Sequence, residues 1–218
     1  MDTREILAHT DHTLLAPDCT AEQIKALCDE AVMYGTASVC IPPLFVKTAK
    51  EYIGDKMKVC TVIGFPNGYN TAEVKAFEAE NAINDGADEI DTVINIGAVK
   101  EGRLADVESE IRLLKNICGN RVLKVIIEAC LLTDAEKKTL CKAVANGGAD
   151  YIKTSTGFSK GGATLADIKL MKENVPPTLK IKAAGGISTL EDASAFLKAG
   201  ADRLGSSKIM KLCKEIFK

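Results

Sequence analysis

Four charged residues stand inside otherwise apolar, β-forming stretches. They are Asp11 in His9-Thr-Asp-His12, Asp91 in Glu89-Ile-Asp-Thr-Val93, Lys153 in Tyr151-Ile-Lys-Thr154 and Lys182 in Lys180-Ile-Lys-Ala183. A charge placed among apolar neighbours is costly unless it is paired or hydrated. A lysine in such a place has a specific chemical use. Its neutral amine attacks a carbonyl carbon, and desolvation or a second nearby cation brings its pKa down toward working pH. Lys153 is the candidate nucleophile, and Lys182, one strand further along, is the candidate second cation. Asp91 and Asp11 then balance charge and move protons. The plain alternative is a buried Lys–Asp network without chemistry, and Lys180 competes with Lys182 on strand parity.

These residues need a frame that brings distant strands together. Short apolar runs at Ala37–Ile41, Lys58–Ile63, Glu89–Ile96, Arg121–Ile127, Tyr151–Lys153, Lys180–Ala183 and Arg203–Gly205 read as strands, with a weaker one at Ala8–Asp11. Helical patterns lie between them at Thr20–Tyr34, Leu104–Cys118, Thr133–Ala145, Leu165–Asn174 and Thr189–Lys198. The first opens on a capping-type Thr20 and places Ile24, Leu27, Cys28 and Ala31 on one face; the second does the same with Val107, Ile111, Leu114 and Ile117. Gly-Ala-Asp recurs at Gly86–Asp88, Gly148–Asp150 and Gly200–Asp202, each time between a helix and a strand, where the glycine can end the helix in a left-handed conformation. Repeated βα units with short connections, and no Pro/Ser/Gly-rich linker, point to one (β/α)8 TIM-barrel domain spanning residues 1–218. An open doubly wound sheet shares the alternation, but no GxGxxG follows the first strand.

In such a barrel the chemistry sits at the C-terminal strand ends, and the loops after the seventh and eighth strands usually hold phosphate. Here those loops are Ala184-Gly-Gly-Ile-Ser188 and Gly205-Ser-Ser207; the loop after the sixth runs Thr154-Ser-Thr-Gly-Phe158, with Gly161-Gly-Ala-Thr164 beyond. Glycines let backbone N–H groups approach an anion, and the next helix N-terminus favours negative charge. Two adjacent glycine-rich loops at those strands favour a phosphorylated ligand over plain turns. Weaker features have bland readings. His9 and His12 make local hydrogen bonds, Cys40 ends a strand as a buried thiol or lines the mouth, Lys124 and Glu128 pair inside the barrel, and Asn67-Gly68 is a turn.

Composition narrows the partners. The 218 residues carry net charge -2 and no basic block, which argues against nucleic acid. None of the eight cysteines forms a CxxC pair, and no stretch resembles a signal peptide or a membrane span. The expectation is a reduced, cytoplasmic protein without a metal.

At the residues singled out above the chain resembles the deoxyribose-phosphate aldolase family, a class I, Schiff-base-forming family. The resemblance runs from His9-Thr-Asp-His-Thr-Leu14 to Arg203-Leu-Gly-Ser206. It is carried best by Gly86-Ala-Asp-Glu-Ile-Asp91, Leu123-Lys-Val-Ile-Ile-Glu128, Tyr151-Ile-Lys-Thr-Ser-Thr-Gly157 and Lys182-Ala-Ala-Gly-Gly-Ile187. It implies a barrel enzyme that reversibly cleaves 2-deoxy-D-ribose 5-phosphate into D-glyceraldehyde 3-phosphate and acetaldehyde, in deoxyribose phosphate catabolism. It further implies Lys153 as the Schiff-base lysine, Lys182 as the lysine that perturbs it, Asp91 as the proton donor and acceptor, and Asp11 as a supporting member. Cys40 then lies near the substrate, while Thr156, Gly157, Gly185, Gly186, Gly205, Ser206 and Ser207 belong to the substrate and phosphate loops. No cofactor is implied, because the iminium replaces a Lewis acid, and relatives are often dimers. Two positions depart from the pattern. Lys208 follows Ser207 where some relatives carry a hydroxyl residue, and the chain ends at Glu215-Ile-Phe-Lys218 without the Tyr-ending tail of others. The rivals are another phosphosugar enzyme, including an isomerase, and a phosphate-ligand binding protein that does no chemistry.

Overall fold

Eight parallel strands close into a barrel in sequence order, β1-β2-β3-β4-β5-β6-β7-β8, with β8 pairing back onto β1. The structure is a computed structural model that describes residues 1–216. The strands are β1 (Thr10–Thr13), β2 (Ser38–Ile41), β3 (Val59–Ile63), β4 (Glu89–Val93), β5 (Val122–Ile126), β6 (Tyr151–Lys153), β7 (Lys180–Ala184) and β8 (Arg203–Ser206). Phe217 and Lys218 lie outside the described residues. Among the described residues no helix is long and apolar enough to cross a membrane.

The expected strands are present with shifted edges. β1 starts two residues later than expected and runs on past Asp11. β4 stops at Val93 instead of Ile96, because Asn95 caps a short helix, α5 (Ile96–Lys100), by accepting from Ala98 N at 3.1 Å. There are ten α-helices among the described residues, more than the eight expected; the additions include α1 (Thr3–Ala8), ahead of β1, and α5. The helices after the strands follow their sequence signals. α2 (Ala21–Tyr34) starts on a capping box made by Thr20 and Gln23, and it buries Ile24, Leu27, Cys28 and Ala31. α6 (Leu104–Cys118) buries Val107, Ile111 and Leu114, but Ile117 only partly. α7 (Asp134–Asn146) opens on a second capping box, Thr133 with Glu136. The glycines of the three Gly-Ala-Asp turns all adopt positive φ: Gly86 at 102°, Gly148 at 83° and Gly200 at 115°.

Strand pairing divides the side chains into two classes, because register partners on adjacent strands point to the same face. One chain of partners runs Asp11, Ser38, Cys40, Cys60, Glu89, Asp91, Lys124, Tyr151, Lys153, Lys182, Arg203 and Gly205, and returns to Asp11. The alternate positions, Val39, Ile41, Val59, Ile63, Ile90, Leu123, Val125, Ile152, Ile181, Ala183 and Leu204, join the helix residues in one apolar cluster. The hydrophobic core of this protein is therefore the jacket between strands and helices. The barrel interior is largely polar.

The capping boxes hold the helices to that jacket. Thr133→Ala removes the acceptor for Glu136 N, 3.3 Å away. The expected cost is about 1 kcal/mol, a fall in Tm of roughly 2–4 °C by differential scanning calorimetry.

Candidate active site

Seven charged side chains meet inside the barrel, and Asp91 is their hub. It is fully buried. Its Oδ2 accepts from Lys153 Nζ and Lys182 Nζ, each at 2.7 Å; its Oδ1 accepts from Lys124 Nζ at 2.8 Å and from the Cys60 thiol at 3.2 Å. Lys182 also bonds Asp11 Oδ2, and Arg203 donates to Asp11 Oδ1 at 2.7 Å. Lys124 reaches Glu89 at 2.6 Å and Asp11 at 3.7 Å as well. Lys153 and Lys182 are register partners on β6 and β7. Since both touch one oxygen, their ammonium nitrogens stand no more than 5.4 Å apart, twice the 2.7 Å bond.

The charges in this group do not cancel. Lys124, Lys153, Lys182 and Arg203 oppose Asp11, Glu89 and Asp91, a surplus of one cation when all are ionised. Burial alone raises both aspartate pKa values, but the surrounding lysines and Arg203 reverse the balance and hold Asp11 and Asp91 below the usual carboxylate range. Burial likewise lowers Lys182, yet Asp11 and Asp91 outweigh it and keep this lysine above its ordinary value. Lys124 behaves the same way, with Asp91 as its strongest partner. The three lysines differ in how many carboxylates they meet. Lys153 touches Asp91 alone, whereas Lys182 has two carboxylate partners and Lys124 three.

Lys153 is also the lysine of the three that reaches the outside. It lines a cavity of about 570 Å³, together with the β1 loop Thr13–Pro17, the β6 loop Thr156–Phe158, the β7 loop through Gly185 and Gly186, and the β8 segment Gly205–Lys208. The backbone N–H groups of Gly157, Gly185, Gly186 and Ser207 meet no protein acceptor among the described residues. Gly185 and Gly186 both hold φ at 77°. α10 (Ile209–Ile216) starts just beyond Ser207 and Lys208. These features suit an anion. Gly205 serves the interior as well. A Cβ there would stand 3.2 Å from Lys182 Cε and 3.1 Å from Ala184 Cβ, so glycine leaves the lysine stem its path.

Several expected residues occupy other positions. Asp11 lies inside β1, not at its end, and Lys182 is the middle residue of β7. Lys180 shares the parity of Lys182 but stands exposed at the start of β7, over the Tyr151 ring, and it is Lys182 that lies buried in the interior. Lys124 does not pair with Glu128. Glu128 falls after the end of β5 at φ 50°, and its carboxylate accepts from Thr156 N, at 3.3 Å, and from Thr156 Oγ1. Thr156 Oγ1 and Ser206 Oγ therefore both have protein partners. Ser206 accepts from Lys208 N and Ile209 N at 3.1 and 3.3 Å. Cys40 is buried beneath the cavity lining and is its register partner Cys60's neighbour. His9 Nδ1 bonds Asp202 O and His12 Nε2 bonds Glu30, each at 2.9 Å; both are held by hydrogen bonds as expected, but to partners distant in sequence. Asn67-Gly68 is a turn closed by Gly68 N to Gly64 O at 2.8 Å. Sequence reasoning missed Glu89, Arg203 and Cys60. Strand parity was the available signal, since Glu89 sits two residues from Asp91 and Arg203 two from Gly205. Two groups bring metal-type ligand atoms within 4.8 Å, Cys40/Cys60/Asp91 and Asp11/Cys60/Glu89. Their carboxylates already face lysine or Arg203.

The chain matches the DeoC/LacD family aldolase model over residues 5–210. It is 55% identical over 214 residues to a deoxyribose-phosphate aldolase of Clostridium botulinum, covering 98% of this chain and 97% of the relative. It is 54% identical over 211 residues to one of Clostridioides difficile, covering 97% and 96%. Among solved structures it superposes on a deoxyribose phosphate aldolase of Aeropyrum pernix with TM-score 0.87 at 32% identity, covering 99% of this chain and 93% of that one. A further aldolase, QR15, gives TM-score 0.93 at 37% identity and 98% and 96% coverage.

The hub makes a pH-dependent prediction. A carboxyl held low in the fold stabilises above its unfolded value, about pH 4, and loses that contribution as pH falls through the folded pKa. Asp91→Asn leaves three lysines around a neutral amide and is expected to cost about 3–5 kcal/mol at pH 7. Urea denaturation should show this deficit at neutral pH and a narrowing gap to wild type below about pH 4. Equal stability at pH 7 would contradict the hub.

Proposed function

The chain belongs to the DeoC/LacD family of aldolases, and on that footing we propose that it cleaves 2-deoxy-D-ribose 5-phosphate reversibly to D-glyceraldehyde 3-phosphate and acetaldehyde through a Schiff base on Lys153. The observation that carries the residue assignment is the hub. Of the three lysines on Asp91, Lys153 alone has a single anionic partner and lines the cavity.

In this reading the neutral Lys153 amine adds to the C1 aldehyde of the open-chain sugar, and loss of water gives the iminium. The C3 hydroxyl releases its proton to a water held by Asp91. The C3 oxygen becomes a carbonyl, the C2–C3 bond breaks, and its electron pair moves into the enamine on Lys153. Glyceraldehyde 3-phosphate leaves. The enamine carbon C2 takes a proton from the same set, and water hydrolyses the iminium to acetaldehyde and free Lys153. Asp91 contacts the reacting nitrogen directly and Lys182 shares the same Asp91 oxygen, so the pair supplies and collects its protons. Asp11, through Lys182, and Arg203, through Asp11, act as positioning residues. The N–H groups of Gly157, Gly185, Gly186 and Ser207 take the phosphate, with Lys208 adding charge at the rim. Thr156 and Ser206 shape that site by fixing its loops. The cavity holds the two ends of the sugar in one orientation, which lowers the entropic part of the barrier.

Acetaldehyde followed by borohydride should leave a reduced two-carbon adduct on Lys153, mapped by mass spectrometry and absent from Lys153→Ala, whose turnover should fall on the order of 10³-fold or more. Adducts spread evenly over surface lysines would overturn the assignment. Lys208→Ala should raise KM for the phosphorylated sugar about tenfold and change kcat little, as steady-state kinetics would read it.

A further inference from the structure

Cys40 and Cys60 are the two cysteines that lie on strands among the described residues, and they are direct register partners on β2 and β3. Adjacent strands run roughly 4.8 Å apart, which falls inside the Cα separation of about 4.4–6.8 Å that a disulfide spans. The two sulfurs and an Asp91 oxygen all lie within 4.8 Å of one another. Both thiols are buried in a small cluster inside the barrel, under Leu15 and Phe65, and Leu15 lines the cavity. One side-chain layer therefore separates them from the space that Lys153 faces. The surroundings are unequal. Lys124 donates to Cys60 Sγ at 3.1 Å, and the Cys60 thiol lies 3.2 Å from Asp91 Oδ1. Cys40 carries a lowered pKa, through the Cys60 thiol beside it and, against burial, the charges of Lys182 and Lys153; burial pushes Cys60 well up. The remaining buried thiols, Cys28, Cys118, Cys141 and Cys213, sit on helices with raised pKa values and no register partner.

From this geometry we propose that Cys40 and Cys60 form a reversible dithiol–disulfide pair, a modification site for small hydroperoxides beside the reactive lysine. The Cys40 thiolate attacks the terminal peroxide oxygen; the O–O bond breaks, releasing hydroxide or alkoxide, and Cys40 becomes a sulfenic acid. The Cys60 sulfur then attacks the Cys40 sulfur, the S–O bond breaks and water leaves. Two thiols are oxidised by two electrons and one peroxide is reduced. A divalent metal is the competing occupant, but the one carboxylate of that group, Asp91, already faces three lysines. A disulfide removes the Cys60 proton from Asp91 and changes the sulfur facing Lys124, so it reaches the hub that both other lysines share.

The test is peptide mapping after brief hydrogen peroxide treatment of the reduced full chain and alkylation of free thiols, which reads the modification whether or not the protein turns over sugar. The expected product is lighter by two hydrogens, carries a Cys40–Cys60 cross-link and regains both thiols with dithiothreitol. Borohydride trapping of acetaldehyde on Lys153 should slow about tenfold in the oxidised form, the scale of one lost hydrogen bond to a charged group, and recover on reduction. In Cys60→Ser the cross-link should be absent and Cys40 should pass to a sulfinic acid that dithiothreitol does not reverse. Oxidation confined to exposed Cys130, or Cys40 sulfinic acid in wild type without the cross-link, would overturn the proposal. A cross-link that leaves trapping on Lys153 unchanged would overturn its connection to the hub.

Discussion

One carboxylate serving three lysines sets the terms for everything inside this barrel. Asp91 offers two oxygens, gives one to Lys124 and divides the other between Lys153 and Lys182. Lys182 answers to Asp11 as well as Asp91, and Lys124 to Glu89 and Asp11 besides. The lysine with the fewest anionic contacts is thus the one on the cavity wall. Buried ion groups rarely add net stability over apolar packing. Here the apolar jacket outside the strands supplies the cohesion, and the interior is left free for charge.

Much of this was legible in the sequence because strands alternate. The lysine on β6, the lysine on β7 and the aspartate on β4 were each visible as charges flanked by aliphatics, and the structure brings all three to one point. The glycines of the β7 and β8 loops were visible by composition and line the cavity beside Lys153. What stayed hidden depended on three-dimensional distance. Lys124 and Glu128 share strand parity, so pairing them was reasonable, but the chain leaves the sheet after Ile126 and turns at Glu128. Lys124 instead finds carboxylates on β4 and β1. Thr156 and Ser206, which the resemblance assigns to the substrate loops, line the cavity, and their hydroxyls also bond Glu128 and the backbone at Lys208 and Ile209, which sequence spacing does not encode. Arg203 and Glu89 were missed because each stands at a strand entrance, where a charge looks like an ordinary solvated end.

Glu128 shows how the two ends of the site are built differently. It is the one described non-glycine residue with positive φ, and its buried carboxylate holds Thr156 by both N–H and hydroxyl. A backbone held in a sparsely populated conformation persists when its surroundings over-determine it. The β6 loop therefore enters the cavity pre-set from β5, while the Lys153 end is set electrostatically from β1, β4 and β7. Rigid hydrogen bonding shapes the β6 side of the cavity, and ion pairing shapes the Lys153 side.

The strict split between an apolar outer face and a charged inner face also bears on how the chain finds its pairing. A strand shifted by one residue exchanges its two faces. For β5 that slip would drive Lys124 into the jacket between Ile90 and Ile152, and would turn Leu123 and Val125 toward Asp91. Every one of the strands β1, β4, β6, β7 and β8 carries a similar charge. A misregistered barrel would thus strand unpaired ions in hydrocarbon at several places at once. The same residues that fill the barrel interior therefore also make the native register cheaper than its one-residue alternatives.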